Sequence, residues 1–209
     1  MGGRNRVTVR YPTGGVEPIL GLRDPRTDYM QTLVRWSGGH RLLALGLFPD
    51  AKEVTESFAS YRAIERHVPW VNFQDPDVTL IAVGDGGTPR TAATFAIGSA
   101  WACHSVDPAL RHASRWESRI ARLHVHRRRI EECAPFECDK AVIVAVHSHA
   151  DLRASIAMVK AHRLAIVSIP CCVRQELDMQ PDESYDDIGI WSHQRRVLIW
   201  IDIGTGGTV

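Results

Sequence analysis

Leu80-Ile81-Ala82-Val83-Gly84-Asp85-Gly86-Gly87-Thr88-Pro89-Arg90, followed by Trp101-Ala102-Cys103-His104-Ser105-Val106-Asp107, is the stretch that decides the fold. Leu80 to Val83 are four apolar residues in a row, suited to a buried strand. Gly84, Gly86 and Gly87 follow at once, where the backbone must turn sharply. Thr88 is placed to cap a helix and Pro89 to open it, so a helix is predicted over Thr91 to Ile97. Trp101 to Val106 gives a second strand that ends on Asp107, about 20 residues beyond the glycine turn. Strand, glycine turn, helix, strand and acid make the βαβ unit that binds a nucleotide-like ligand.

In such a unit the glycines let the backbone approach the ligand and the helix start offers unpaired N–H groups. The carboxylate at the end of the second strand accepts hydrogen bonds from two ribose hydroxyls, which makes Asp107 the first candidate. Pro89 stands where the dinucleotide pattern has its third glycine. That disfavours a nicotinamide cofactor and leaves an adenosine ligand such as S-adenosylmethionine. Arg90, in the first turn of a helix whose dipole repels it, calls for an anionic partner, either a ligand carboxylate or Asp85.

Working outward, Asp50 caps a helix whose stripe Val54, Phe58, Tyr61, Ile64 and Val68 has core spacing and which ends at Pro69. Before it, Met1 to Gly21 reads as an irregular arm, Thr27 to Trp36 as a short helix stopped by Gly38 and Gly39, and Arg41 to Phe48 as an apolar segment of undecided type. After Asp107, a helix is expected over Pro108–Trp116 and a third strand with a basic edge over Arg119–Arg129. Ala141 to Val146 is a buried strand, Asp151 to His162 a helix and Leu164 to Ile169 another buried strand. Gly189–Trp191 and Val197–Ile203 supply closing strands around a turn at His193 and Gln194. Alternating strands and helices imply an α/β, doubly wound, mostly parallel sheet with helices on both faces. Ligands then lie outside the carboxyl ends of the strands.

The 209 residues suit one such domain over 49–209 behind an irregular or helical N-terminal arm over 1–48. Charge is balanced, 25 basic against 24 acidic residues, so no global field argues for nucleic acid or membrane. No apolar run reaches the ~20 residues of a membrane span, and five cysteines with Cys171 and Cys172 adjacent do not suggest a secreted disulfide framework. A soluble, cytoplasmic protein with reduced thiols is expected. Arg111, Arg115, Arg119, Arg122, Arg127, Arg128 and Arg129 form a dense basic region that can hold RNA phosphates or serve as a solvated face. Oligomeric state has no signature in the sequence.

His147 and His149 follow the fourth strand, and Cys171 and Cys172 the fifth, so all four fall at the ligand-binding end. Three readings stay open. The four can form a zinc site; His147 can take a proton from a substrate hydroxyl or amine; or the histidines hold their turn while the thiols fill space. Tyr185, Asp186 and Asp187 are either a substrate rim or an acidic surface loop.

These marks together resemble the Rossmann-like, S-adenosylmethionine-dependent methyltransferases. Val146-His147-Ser148-His149-Ala150-Asp151-Leu152 and Ile169-Pro170-Cys171-Cys172 are similar to segments of a branch that includes the tRNA 2′-O-methyltransferase group. The resemblance covers roughly residues 78–175. It implies methyl transfer, with Gly84, Asp85, Gly86, Gly87, Arg90 and Asp107 toward the cofactor and His147 and His149 toward the chemistry. Two departures stand out. Ala82 occupies the place of an acid usual two residues before the first glycine, with Asp85 the candidate to take over. The Asp/Asn-Pro-Pro-aromatic segment of amino-methyltransferases is missing, as is a lysine-rich set for ribose hydroxyls. A non-catalytic Rossmann-like binding module is therefore the alternative.

Overall fold

The structure is a computed structural model and describes residues 7–10, 16–19, 27–171 and 177–204. Its sheet has seven strands: β3 (Val78–Val83), β4 (Ala102–Val106), β5 (Leu123–His126), β6 (Phe136–Val146), β7 (Val159–Ile169), β8 (Glu183–Asp186) and β9 (Arg196–Trp200). Their order is β5-β4-β3-β6-β7-β9-β8. All pairs from β5 to β7 are parallel, and β9 runs antiparallel to both β7 and β8. Winding goes one way from β3 to β4 and β5 and the other way from β6 to β7. The reversal lies between β3 and β6, where an open α/β sheet leaves a crevice at its carboxyl ends. The fold is a Rossmann-like, doubly wound α/β sheet, as expected.

Both faces are covered, which is why the central strands read as unbroken apolar runs. Leu80 and Ala82 of β3 point to one face with Val142, Val144, Ala165 and Val167; Ile81 and Val83 point to the other with Ile143 and Ile166. The first face packs against α1 (Asp28–Arg35), α2 (Ser37–Leu45), α3 (Ala51–His67), α4 (Arg90–Gly98) and α5 (Ala113–Glu117). The second packs against α6 (Leu152–Ala157) and a 3₁₀ turn over Ile130–Glu132. Trp101 anchors the first face: it is fully buried, stacks on Phe73 with centroids 4.8 Å apart, and donates Nε1–H to Asn72 O at 2.9 Å. Burying a ring that size contributes about 2–3 kcal/mol.

The Asp50 cap is present, its carboxylate accepting from Glu53 N at 3.0 Å, and the Val54, Phe58, Ile64 and Val68 stripe is core. Several elements differ from the sequence reading. Gly38 and Gly39 do not end helical structure but lie inside α2. A Cβ on Gly38 would come 2.5 Å from the Trp36 ring and 2.7 Å from Ile97, so bare glycine lets α2 sit close to its neighbours. The helix expected to His162 stops at Ala157, because Val159, Lys160, Ala161 and His162 alternate buried and exposed and extend β7 instead. The helix after Pro108 shrinks to α5, and the third strand to Leu123–His126. The sixth strand is Glu183–Asp186, which takes in Tyr185 and Asp186; Gly189–Trp191 belongs to the loop that follows. Within 1–21, β1 (Val7–Arg10) pairs antiparallel with β2 (Val16–Ile19), where an irregular arm was expected. Tyr29, Leu33, Leu42 and Leu47 join the same core cluster as α3.

Candidate functional site

Two turns at the switch point are built into each other. Gly84 ends β3 with φ 69°, and Gly86 has φ 80°, a left-handed backbone that favours glycine. Ser148, in the turn after β6, lies directly against Gly84. This contact brings the His147–Asp151 loop beside the glycine turn. Asp107, just past β4, closes the third side. Its Oδ2 accepts from Gly86 N at 2.9 Å and its Oδ1 from Ala109 N at 2.6 Å. A carboxylate oxygen has more than one lone pair, so Asp107 keeps capacity for further donors.

Between these elements lies a cavity of about 580 Å³, lined by Gly84, Gly86, Arg90, Val106, Asp107, Ile130, His147 and His149 among others. That is within the range of small-molecule pockets, about 300–1,000 Å³. Val106 and Ile130 give it apolar walls, and Arg128 and Arg129 bring positive charge to its edge.

Asp85 does not face the cavity. It is 4 % exposed, and its carboxylate accepts from Thr91 N at 2.9 Å, Ala92 N at 3.1 Å and Ser105 Oγ at 2.8 Å. Asp85 thus caps α4, the part expected of Thr88, whose hydroxyl instead donates to Leu47 O at 2.6 Å. Burial pushes the Asp85 carboxyl up, against the opposing pull of the Arg90 charge and the three donors. Gly87 also lies outside the lining, its carbonyl accepting from Arg111 N at 3.1 Å. Arg90 does line the cavity and finds its anionic partner in the protein: its Nε lies 3.0 Å from Glu53 Oε2 on α3. Burial is also the main cause that raises the Glu53 carboxyl.

His147 has φ 47°, and its ring is placed between two acceptors. Nε2 lies 3.0 Å from Gln194 O, and Nδ1 lies 3.5 Å from Glu56 Oε1. His149 is exposed at the cavity mouth. Cys171 follows β7 and is half-buried, whereas Cys172 lies outside the described residues. Among the described residues no group of three or more His, Cys, Asp or Glu side chains is arranged to hold a metal ion.

Glu53, Glu56, Ser148 and Ile130 were not singled out in the sequence. The two acids were hidden by the reading of α3 as a one-sided amphipathic helix. The unbroken small and polar run Thr55-Glu56-Ser57, inside a helix that also carries the Val54–Phe58 stripe, is the signal that this helix is buried on more than one side.

No family model and no curated protein matches the sequence. Solved structures do resemble it. A mutant of MtNAS in complex with S-adenosylmethionine is 10 % identical with a TM-score of 0.47, covering 86 % of this chain and 72 % of that one. The 1,6-didemethyltoxoflavin-N1-methyltransferase of Burkholderia thailandensis, with bound 1,6-didemethyltoxoflavin and S-adenosylhomocysteine, is 14 % identical with a TM-score of 0.38, covering 94 % and 79 %. LaPhzM is 17 % identical with a TM-score of 0.35, covering 71 % and 46 %. At these values the likeness concerns the fold class alone.

Proposed function

We propose that the chain is an S-adenosylmethionine-dependent methyltransferase whose cofactor occupies the cavity between Gly86, Asp107 and His147. The observation that carries this reading is the pairing of Asp107 with the glycine turn at the switch point, beside a cavity of about 580 Å³. The donor set fits the group. Asp107 has lone pairs for ribose hydroxyls, and Val106 and Ile130 offer apolar surface to a base. Bound there, the cofactor would supply an electrophilic methyl group on a sulfonium. The chain's own part is to align an acceptor and take its proton, with His147 and His149 at the cavity as candidates.

The acceptor class assigned here is RNA, as in the tRNA 2′-O-methyltransferase-like branch that the two sequence segments resemble. Supporting it, Arg111, Arg115, Arg119, Arg127, Arg128 and Arg129 are all exposed, and the last two reach the cavity wall. Arg122 contributes less, since its guanidinium donates to Ala96 O and Ser99 O. A cytoplasmic setting belongs to the same reading, supported by the unbridged thiols of Cys103, Cys133 and Cys138. No helix among the described residues is long and apolar enough to cross a membrane.

One observation favours the second reading, a binding module without catalysis. Ala82 is buried where an acid would stand, and Asp85 is committed to α4. Calorimetric titration with S-adenosylmethionine and S-adenosylhomocysteine, with NAD as control, separates the cases. Micromolar binding of the adenosyl ligands alone, abolished in Asp107→Ala, supports the pocket. Failure of all three to bind would mean that the glycine turn is structural.

A further inference from the structure

Arg90 opens α4, where the helix dipole is unfavourable to a cation, and its side chain is only 15 % exposed. The guanidinium lies over Gly86: a Cβ built on Gly86 would come 2.6 Å from Nη1 and 3.2 Å from Nη2. Glycine thus has a second use here besides its φ of 80°, because any side chain would displace the arginine. What the turn presents at Gly86 is therefore a cation at the cavity wall rather than bare backbone.

The neighbouring acids leave the outer edge of that cation open. Asp85 spends its carboxylate on Thr91 N, Ala92 N and Ser105 Oγ, and Asp107 accepts from Gly86 N and Ala109 N. Glu53 meets Arg90 at Nε, on the stem side of the guanidinium, and its Oε2 is buried without a hydrogen bond, so charge holds the pair. Among the described residues the terminal nitrogens Nη1 and Nη2 donate to no acceptor. Donors so far removed from water call for an acceptor, and the cavity is where one can enter.

Charge and shape define that acceptor. Glu53 already offsets the guanidinium, so a dianionic phosphate would meet too little positive charge at this point. A monoanionic carboxylate matches the planar pair of terminal N–H groups in bidentate fashion. An adenosyl sulfonium or thioether carries one such group, the α-carboxylate of its amino-acid arm. We infer that Arg90, held over Gly86 by Glu53, is the specificity-determining residue that binds this α-carboxylate, with Glu53 as its positioning residue. The inference rests on the adenosyl-ligand reading of the cavity. It makes α3, which lies outside the βαβ unit, part of ligand recognition.

Two ligands that differ only in the carboxylate test it: S-adenosylhomocysteine and its decarboxylated counterpart, S-adenosyl-3-thiopropylamine, titrated calorimetrically into the full chain. The native protein should prefer the first by about ten- to hundredfold, as expected of a charge-assisted hydrogen-bonded pair. Glu53→Gln/Arg90→Met, which leaves no buried charge unpaired, should bind both alike while keeping the native affinity for the decarboxylated ligand. Glu53→Gln alone should reduce the preference, an effect on the ratio that a merely structural role for Glu53 would not produce. Arg90→Lys keeps the charge but not the fork and should also narrow the ratio, so the inference stays testable if the double variant fails to fold. Equal native affinities, or a ratio unchanged in the variants, overturn the assignment of Arg90 alone. No binding of either ligand to the native protein overturns the adenosyl reading and the inference with it.

Discussion

Gly84 and Ser148 touch where β3 and β6 end, so closely that a Cβ on Gly84 would lie 2.7 Å from the Ser148 Cβ and 3.0 Å from its Cα. Real Cβ atoms do not approach that near, and Ser148 is itself held by donation from Ala150 N to its Oγ at 3.0 Å. Gly84→Ala therefore combines a clash against backbone with a side chain at φ 69°. We expect a loss of more than about 2 kcal/mol. The same displacement moves the His147–Asp151 loop, so adenosyl-ligand affinity should fall with the melting temperature. Thermal melting and calorimetry on one preparation check both, and an unaltered melting temperature would show that the two turns are not locked.

Asp85 and Asp107 sit 22 residues apart on either side of α4 and β4, yet their expected effects differ in kind. Asp85→Ala strands Thr91 N, Ala92 N and Ser105 Oγ in the interior. Leaving such donors unpaired costs about 2–4 kcal/mol, or roughly 5–15 °C in melting temperature for a chain this size. Below its melting point the variant should still bind S-adenosylmethionine. Asp107→Ala should do the reverse, losing affinity while staying folded, since its carboxylate faces a cavity open to water. Matching losses of affinity in both variants would contradict this division.

What the sequence showed best were the parts whose physics is local and repetitive. The apolar runs of β3, β6 and β7 are legible because helices cover both faces of the sheet, and the glycine turn because Gly84 and Gly86 take positive φ. What it hid depends on partners far along the chain. The first residues of β7 were read as helix, although Val159-Lys160-Ala161-His162 alternates; their exposed members pair with β6 across the strand register, Lys160 with Glu137 at 2.9 Å and His162 with Asp139 at 2.8 Å. β8 is polar throughout, Glu183-Ser184-Tyr185-Asp186, and becomes a strand only because β9 offers it an edge. Asp85 illustrates the same limit at the site, since its place in the glycine turn suits a ligand role and a capping role equally. Only the burial of its side chain separates them.

His104, His124 and His126 gather on one side of the β4–β5 edge, with His104 Nδ1 3.0 Å from His126 Nε2 and Phe136 edge-on to the rings of His104 and His126. Burial first, then the neighbouring His124 and His126, lower the pKa of His104 to about 3. The native ring therefore stays neutral while the unfolded chain takes up a proton below about 6.5. Stability from this group is intact above that pH and declines as pH falls from about 6.5 toward 3. By pH 5 the loss amounts to about 2 kcal/mol. His104→Gln, which preserves a hydrogen bond to His126, should flatten the melting temperature between pH 7 and 5. A slope as steep as the native one would assign the acid sensitivity to other groups.

Between Arg111 and Glu132 the chain carries seven arginines against three glutamates, although its net charge is only +1. The positive charge is thus concentrated on one edge of the sheet, around α5 and β5, while the remainder is net acidic. Arg115 stacks over the Trp116 ring at 4.9 Å, and Arg128 and Arg129 stand where this edge meets the cavity. If RNA lies along that edge, removing one phosphate-binding arginine should lower the slope of log affinity against log salt by about 0.7–0.9. Arg128→Ala/Arg129→Ala should therefore weaken binding of a fluorescein-labelled tRNA and reduce the slope by about one to two. Arg62→Ala, a change on α3 whose guanidinium pairs with Glu65 at 2.6 Å away from this edge, is the control and should leave the slope alone. Equal effects of the two variants, or a native affinity insensitive to salt, would remove RNA as the acceptor and leave an uncharged small molecule or a protein side chain in its place.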